Sequence, residues 1–140
     1  MSKDATEFAI EVSRKILGKE SDYKAIALGS LHEIKYSCEI NLDWRGRGIG
    51  HNVNFMFDYI NSGTWNLILN CCCEHMYPMY EIKLPAIYIL QSNNRYADAH
   101  INRVRSIEDF LNQTRFDEII YANTSSYYEV EYYTVIGEKW

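Results

Sequence analysis

The segment Trp44 to His51 reads WRGRGIGH, and its residue types suit anion chemistry. Arg45 and Arg47 flank Gly46, while Gly48 and Gly50 free the backbone, so successive amides can form an anion nest and the guanidinium forks can grip phosphate. The segment lacks the GK[ST] ending of a P-loop, and it does not lie between a strand and a helix. A hairpin loop with two solvated arginines is the simpler account. Trp44, Arg45 and Arg47 are also the residue types that most often anchor protein contacts.

Nucleophile and metal chemistry find less support. Cys71, Cys72 and Cys73 are consecutive and Cys38 is distant. Adjacent cysteines pair poorly, and the spacing is not that of a zinc site. Glu74 and His75 follow directly, which makes a CCCEH metal site conceivable. The run nevertheless reads as reduced cysteines packed in a strand, in keeping with a reducing cytosol. His32, His51, His75 and His100 are scattered, and a pair such as His51 with Glu33 or Asp58 depends on tertiary placement. There is no G-x-S-x-G, no HExxH and no flanked catalytic cysteine. The expectation is a protein with no catalytic residue, no metal and no cofactor.

The densest grouping lies at the C-terminus. Residues Tyr127 to Ile136 read YYEVEYYTVI, and strand side chains alternate faces. Tyr128, Val130, Tyr132, Thr134 and Ile136 then form a core face. Tyr127, Glu129, Glu131, Tyr133 and Val135 form the other, with two carboxylates between two phenols. Glu118 and Trp140 extend this set. Carboxylates for Lys and Arg, with rings as packed anchors, make a surface suited to a basic protein partner. The competing account is an edge strand that keeps Glu outside to deter aggregation.

Composition narrows the classes. The chain has 140 residues and a net charge of −5, from 19 acidic and 14 basic residues. That balance disfavours direct nucleic-acid binding and anionic membranes, where counterion release rewards Lys and Arg. Tyrosines number 12, against 5 Phe and 3 Trp. They suit both protein-binding surfaces and half-buried strands. The N-terminus carries charges throughout and no apolar run is long enough to span a bilayer, so a cytoplasmic protein is expected.

These residues need elements to hold them. Asp4 to Leu17 has the spacing of a helix, with Ala5, Phe8, Ala9, Val12 and Ile16 on one stripe and Gly18 as terminator. Period-two patterns predict strands over Tyr23 to Ser30, His32 to Leu42, Val53 to Ile60, Trp65 to Cys73 and Tyr80 to Gln91, the last at an edge or carrying a bulge because of Pro85. Tyr96 to Val104 fits a short helix. Ser106 caps a further helix ending near Thr114, with Asp109 at the third helical position. Phe116 to Tyr121 fits a short strand or a helical continuation, and Asn123 to Ser126 a turn. The expected architecture is a single α+β domain over residues 1–140. Its sheet is mainly antiparallel, of about five to seven strands, with an N-terminal helix and a second short helix packed on one face.

The function expected is non-catalytic binding: an immunity-type protein that neutralises a basic protein partner, such as a bacterial toxin, by occluding its active or substrate-binding site. The expected contacts are Tyr127, Glu129, Glu131, Tyr133, Glu118 and Trp140. Two alternatives are a small ligand-binding domain or enzyme holding an anionic ligand at Trp44, Arg45 and Arg47, and a homo-oligomeric adaptor subunit.

Overall fold

Ala25-Ile26-Ala27-Leu28 and Leu67-Ile68-Leu69 are apolar at every position, and all of these residues are buried. Strands covered on both faces read in this way, and they belong to parallel sheets. The computed structural model describes residues 3–17, 23–28, 40–42, 57–97 and 100–140. Among these residues lie one six-stranded sheet and three α-helices. The strands are β1 (Ala25–Leu28), β2 (Ile40–Leu42), β3 (Leu67–Asn70), β4 (Ala86–Asn93), β5 (Glu118–Tyr127) and β6 (Val130–Lys139). The helices are α1 (Lys3–Leu17), α2 (Phe57–Asn61) and α3 (Ile107–Thr114).

Strand order is β2-β1-β3-β4-β6-β5. The first four strands are parallel to one another, whereas β6 runs antiparallel to β4 and β5 antiparallel to β6. The expected mainly antiparallel sheet is therefore corrected to a mixed one. Successive strands with turn residues between them look like hairpins in sequence. The stretches between β2 and β3, and between β3 and β4, are instead long enough to cross back over the sheet.

The expectation of helices on one face is corrected as well. Ala9 of α1, with Val12 and Leu17 beside it, packs against Ala25, Ala27, Leu67, Leu69, Ile89 and Ile136. On the opposite face, Phe57 and Ile60 of α2 and Phe110 of α3 join Ile26, Leu28, Ile68, Tyr88, Leu90, Tyr133 and Val135. The sheet is thus the middle of three layers. Small residues at Ala9, Ala25 and Ala27 let α1 lie close to the sheet. The buried side of α1 includes Ala9 and Ser13, whereas Phe8 and Ile16 of the expected stripe are exposed.

Several elements differ locally. Part of the expected strand Val53 to Ile60 is α2, whose buried Phe57 and Ile60 stand three residues apart, on one side of a helix. Pro85 immediately precedes β4, which is central rather than an edge, because a proline before the first strand residue costs no ladder bond. Residues 100–104 of the expected helix Tyr96 to Val104 contain no helix. The expected turn at Asn123 to Ser126 lies inside the ten-residue β5. The true turn is Tyr128-Glu129, between the paired Tyr127 and Val130.

Candidate functional site

In parallel α/β sheets, ligands gather beyond the carboxyl ends of the strands. In this protein two features occupy that edge: a polar cluster after β3, and the tip of the β5–β6 hairpin.

The cluster begins with Asn70, the last residue of β3. Its side-chain oxygen accepts a hydrogen bond from the Cys72 backbone N–H at 2.9 Å, an Asx turn that stops the strand. Its amide nitrogen lies 3.0 Å from the Met76 sulfur. The chain then winds into a 3₁₀ turn over Cys73–His75. This turn carries Glu74 inward, where it is 1% exposed. Among the described residues, neither Glu74 carboxylate oxygen makes a hydrogen bond of good geometry. Burial raises its pKa, and the neighbouring His100 and the Asn93 side chain offset part of that cost.

The loop after β4 brings the remaining groups. The Asn102 backbone N–H donates to the Glu74 carbonyl at 3.1 Å. The side chains of Asn102 and Gln113 exchange two hydrogen bonds, at 2.9 and 2.7 Å, which tie the loop to α3. His100 stands against His75 edge to face, with ring centroids 4.7 Å apart. His75 Nε2 is 3.7 Å from Glu74 Oε1. One donor atom from each of Glu74, His75 and His100 lies within 4.8 Å of the other two. Glu74 and His75 are neighbours in sequence, but His100 arrives through the tertiary fold alone, and spacing carries no signal for it. The legible hint was Asn70, a strand-stopping residue inside what reads as a continuous strand.

Cys71, Cys72 and Cys73 are buried and unbridged. Burial, reinforced by the Glu74 charge, pushes the Cys73 thiol well above its usual pKa, which makes it a poor nucleophile.

The hairpin overhangs the same edge. Asn93, the last residue of β4, pairs with Tyr132, so residues 127–131 of the hairpin project past the end of β4. Asn94 locks the base of this overhang, donating its backbone N–H to the Glu131 carbonyl at 3.2 Å and accepting the Glu131 N–H on its side chain at 2.9 Å. At the tip, Tyr127 and Tyr128 stack edge to face with centroids 4.4 Å apart, and they are 65% and 83% exposed. Beyond them β5 forms the sheet edge, and most of its side chains are exposed.

The six expected partner contacts do not share a face. Tyr133 is 1% exposed and packs beside Phe110 in the core. Its single hydroxyl proton faces two acceptors, Glu131 Oε1 at 3.1 Å and the Arg105 carbonyl at 3.3 Å. Burial and the Glu131 carboxylate push its pKa up to about 12. The period-two pattern fails here because both faces of β6 are covered, so Tyr133 and Val135 are as buried as Thr134 and Ile136. Tyr127 and Glu129 sit at the tip. Glu118 and Trp140 lie at the far end of the hairpin, where Glu118 stands opposite Glu138 and the Trp140 N–H donates to Asp117 at 2.8 Å. Trp44, Arg45 and Arg47 lie outside the described residues.

A shallow groove of about 890 Å³ opens near α2 and the approach to β4, bordered by Phe57, Tyr77, Tyr80 and Pro85. It is separate from the carboxyl edge. No helix among the described residues is long and apolar enough to cross a membrane. Comparison with protein-family models, curated proteins and solved structures found no match.

Proposed function

We propose that the protein is a non-catalytic binding protein of the immunity type, which neutralises a basic protein partner such as a bacterial toxin by occluding its active or substrate-binding site. The observation that carries this reading is β5. It is a ten-residue edge strand that is uncharged from Ile119 to Tyr128 and ends in two exposed tyrosines. Proteins usually blunt such edges with Lys, Pro or inward charge. The register irregularity between Ile119 and Tyr121 interrupts the edge near its start, and the stretch from Ala122 onward is regular. An account in which glutamates guard the edge fits poorly, because Glu131 lies on the inner strand and bonds to a core tyrosine.

An extended segment of the partner would add to β5 through main-chain hydrogen bonds, with Tyr127 and Tyr128 as anchors. Acidic groups at both ends, Asp117, Glu118 and Glu138 at one and Glu129 at the other, favour a basic partner over a neutral one. The test is to co-purify and identify the partner from the native host, then measure its affinity for Tyr127→Ala/Tyr128→Ala and for Thr124→Pro. Each variant is expected to bind at least about 10-fold more weakly. Wild-type affinity in both would reject the edge as the interface. A concentration-dependent dimer by light scattering, lost in the same variants, would replace the foreign partner with a second copy of the chain.

A further inference from the structure

We propose that Glu74, His75 and His100 form a binding site for a divalent transition-metal cation of the zinc class, open on one side to the carboxyl edge of the sheet.

The first support is chemical. Two imidazoles and one carboxylate, without sulfur, suit borderline cations such as Zn²⁺, Co²⁺ or Ni²⁺. Ca²⁺ and Mg²⁺ prefer shells built from oxygen. The second is electrostatic. The Glu74 carboxylate is 1% exposed, and among the described residues neither oxygen makes a hydrogen bond of good geometry. A buried carboxylate in that state is costly unless a cation faces it. His100 and the Asn93 side chain offset only part of the burial cost, whereas a divalent ion would oppose the carboxylate charge in full.

The third support is orientation. His100 Nδ1 is 2.9 Å from the Arg95 carbonyl, so this nitrogen carries the proton. Nε2 is left with the lone pair, the arrangement that a backbone carbonyl behind a ligating histidine enforces. The Asn102 N–H bonded to the Glu74 carbonyl, and the Asn102–Gln113 pair behind it, hold the loop that delivers His100 to the 3₁₀ turn. The fourth is distance. The donor atoms lie within 4.8 Å of one another, with Glu74 and His75 already at 3.7 Å. A tetrahedral zinc shell needs about 3.4 Å between ligands, so the donors would draw together around the ion on binding. Three protein ligands leave one position for water or a substrate atom.

The experiment is isothermal titration calorimetry of the full chain, stripped with a chelator, against Zn²⁺, with Co²⁺ absorption as a second reading. One Zn²⁺ per chain is expected, with Co²⁺ bands in the visible. Glu74→Gln, His75→Ala and His100→Ala should each weaken Zn²⁺ binding by at least about 10-fold. The double variant His32→Ala/His51→Ala should bind as wild type does. Glu74→Gln keeps the side-chain shape, and His100 is half-exposed, so these two variants decide the matter should His75→Ala fail to fold. Absence of Zn²⁺ binding, binding unchanged in both Glu74→Gln and His100→Ala, or binding lost only in the His32/His51 variant would overturn the site. None of these outcomes depends on the partner-binding reading.

Discussion

Gly137 has no side chain, and the Phe116 ring lies in the space that a Cβ there would need. That ring also packs near Tyr88, with centroids 5.9 Å apart, so the glycine lets an aromatic cover the end of β6. Gly137→Ala should lower stability by about 1–3 kcal/mol through overpacking. Most of that loss should vanish in a Phe116→Ala background, as measured by a double-mutant cycle in urea. The pairing is invisible in sequence, where Gly137 reads as an end-of-strand residue and Phe116 as the start of a short segment. Tyr133 teaches the same lesson. Its residue type fits an interface or a core equally well, and a covering helix decided for the core.

The β5–β6 turn places two ordinary residues, Tyr128 and Glu129, at φ of 47° and 66°. Two-residue hairpin turns of this hand favour Asn-Gly, because side chains crowd the left-handed region. Tyr128→Asn with Glu129→Gly should therefore raise stability by about 1–2 kcal/mol in denaturant unfolding, while weakening partner binding through loss of the Tyr128 anchor. Turn chemistry in the sequence pointed instead to Asn123 to Ser126, which forms the strand. Helix α3, by contrast, was readable from its cap. The Ser106 hydroxyl accepts the Asp109 N–H at 3.1 Å, and Asp109 accepts the Arg105 N–H at 2.9 Å. Ser106→Ala should cost about 1 kcal/mol, measured in the same way.

Across the whole molecule, the C-terminal strand ties the 3₁₀ turn Met79–Glu81, which precedes β4, to the sheet. Lys139 is buried, donates to the Met79 carbonyl at 3.0 Å and the Ile82 carbonyl at 2.7 Å, and lies over the Tyr88 ring. Burial pushes its pKa down to about 8; the Asp117 carboxylate works against that shift and Arg115 adds to it. The unfolded chain keeps this proton up to the usual lysine value of 10.5, so between about 8 and 10.5 it binds more protons than the folded one. Stability from this group therefore rises with pH across that window. Calorimetry should show the Tm of the wild type gaining on that of Lys139→Met as pH is raised from 8 to 10.5, with the difference flat below about pH 7.

Local patterns by themselves determined α1, the capped α3 and the positions of most strand cores, because these follow from short-range periodicity and capping. Strand direction, the second helical layer, the burial of Tyr133, the edge position of β5 and the meeting of His100 with Glu74 and His75 were decided by tertiary structure. Each depends on which segments pack against a face or an end of the sheet. A strand's alternation shows that it has two faces, and only the elements laid against them determine which face meets solvent.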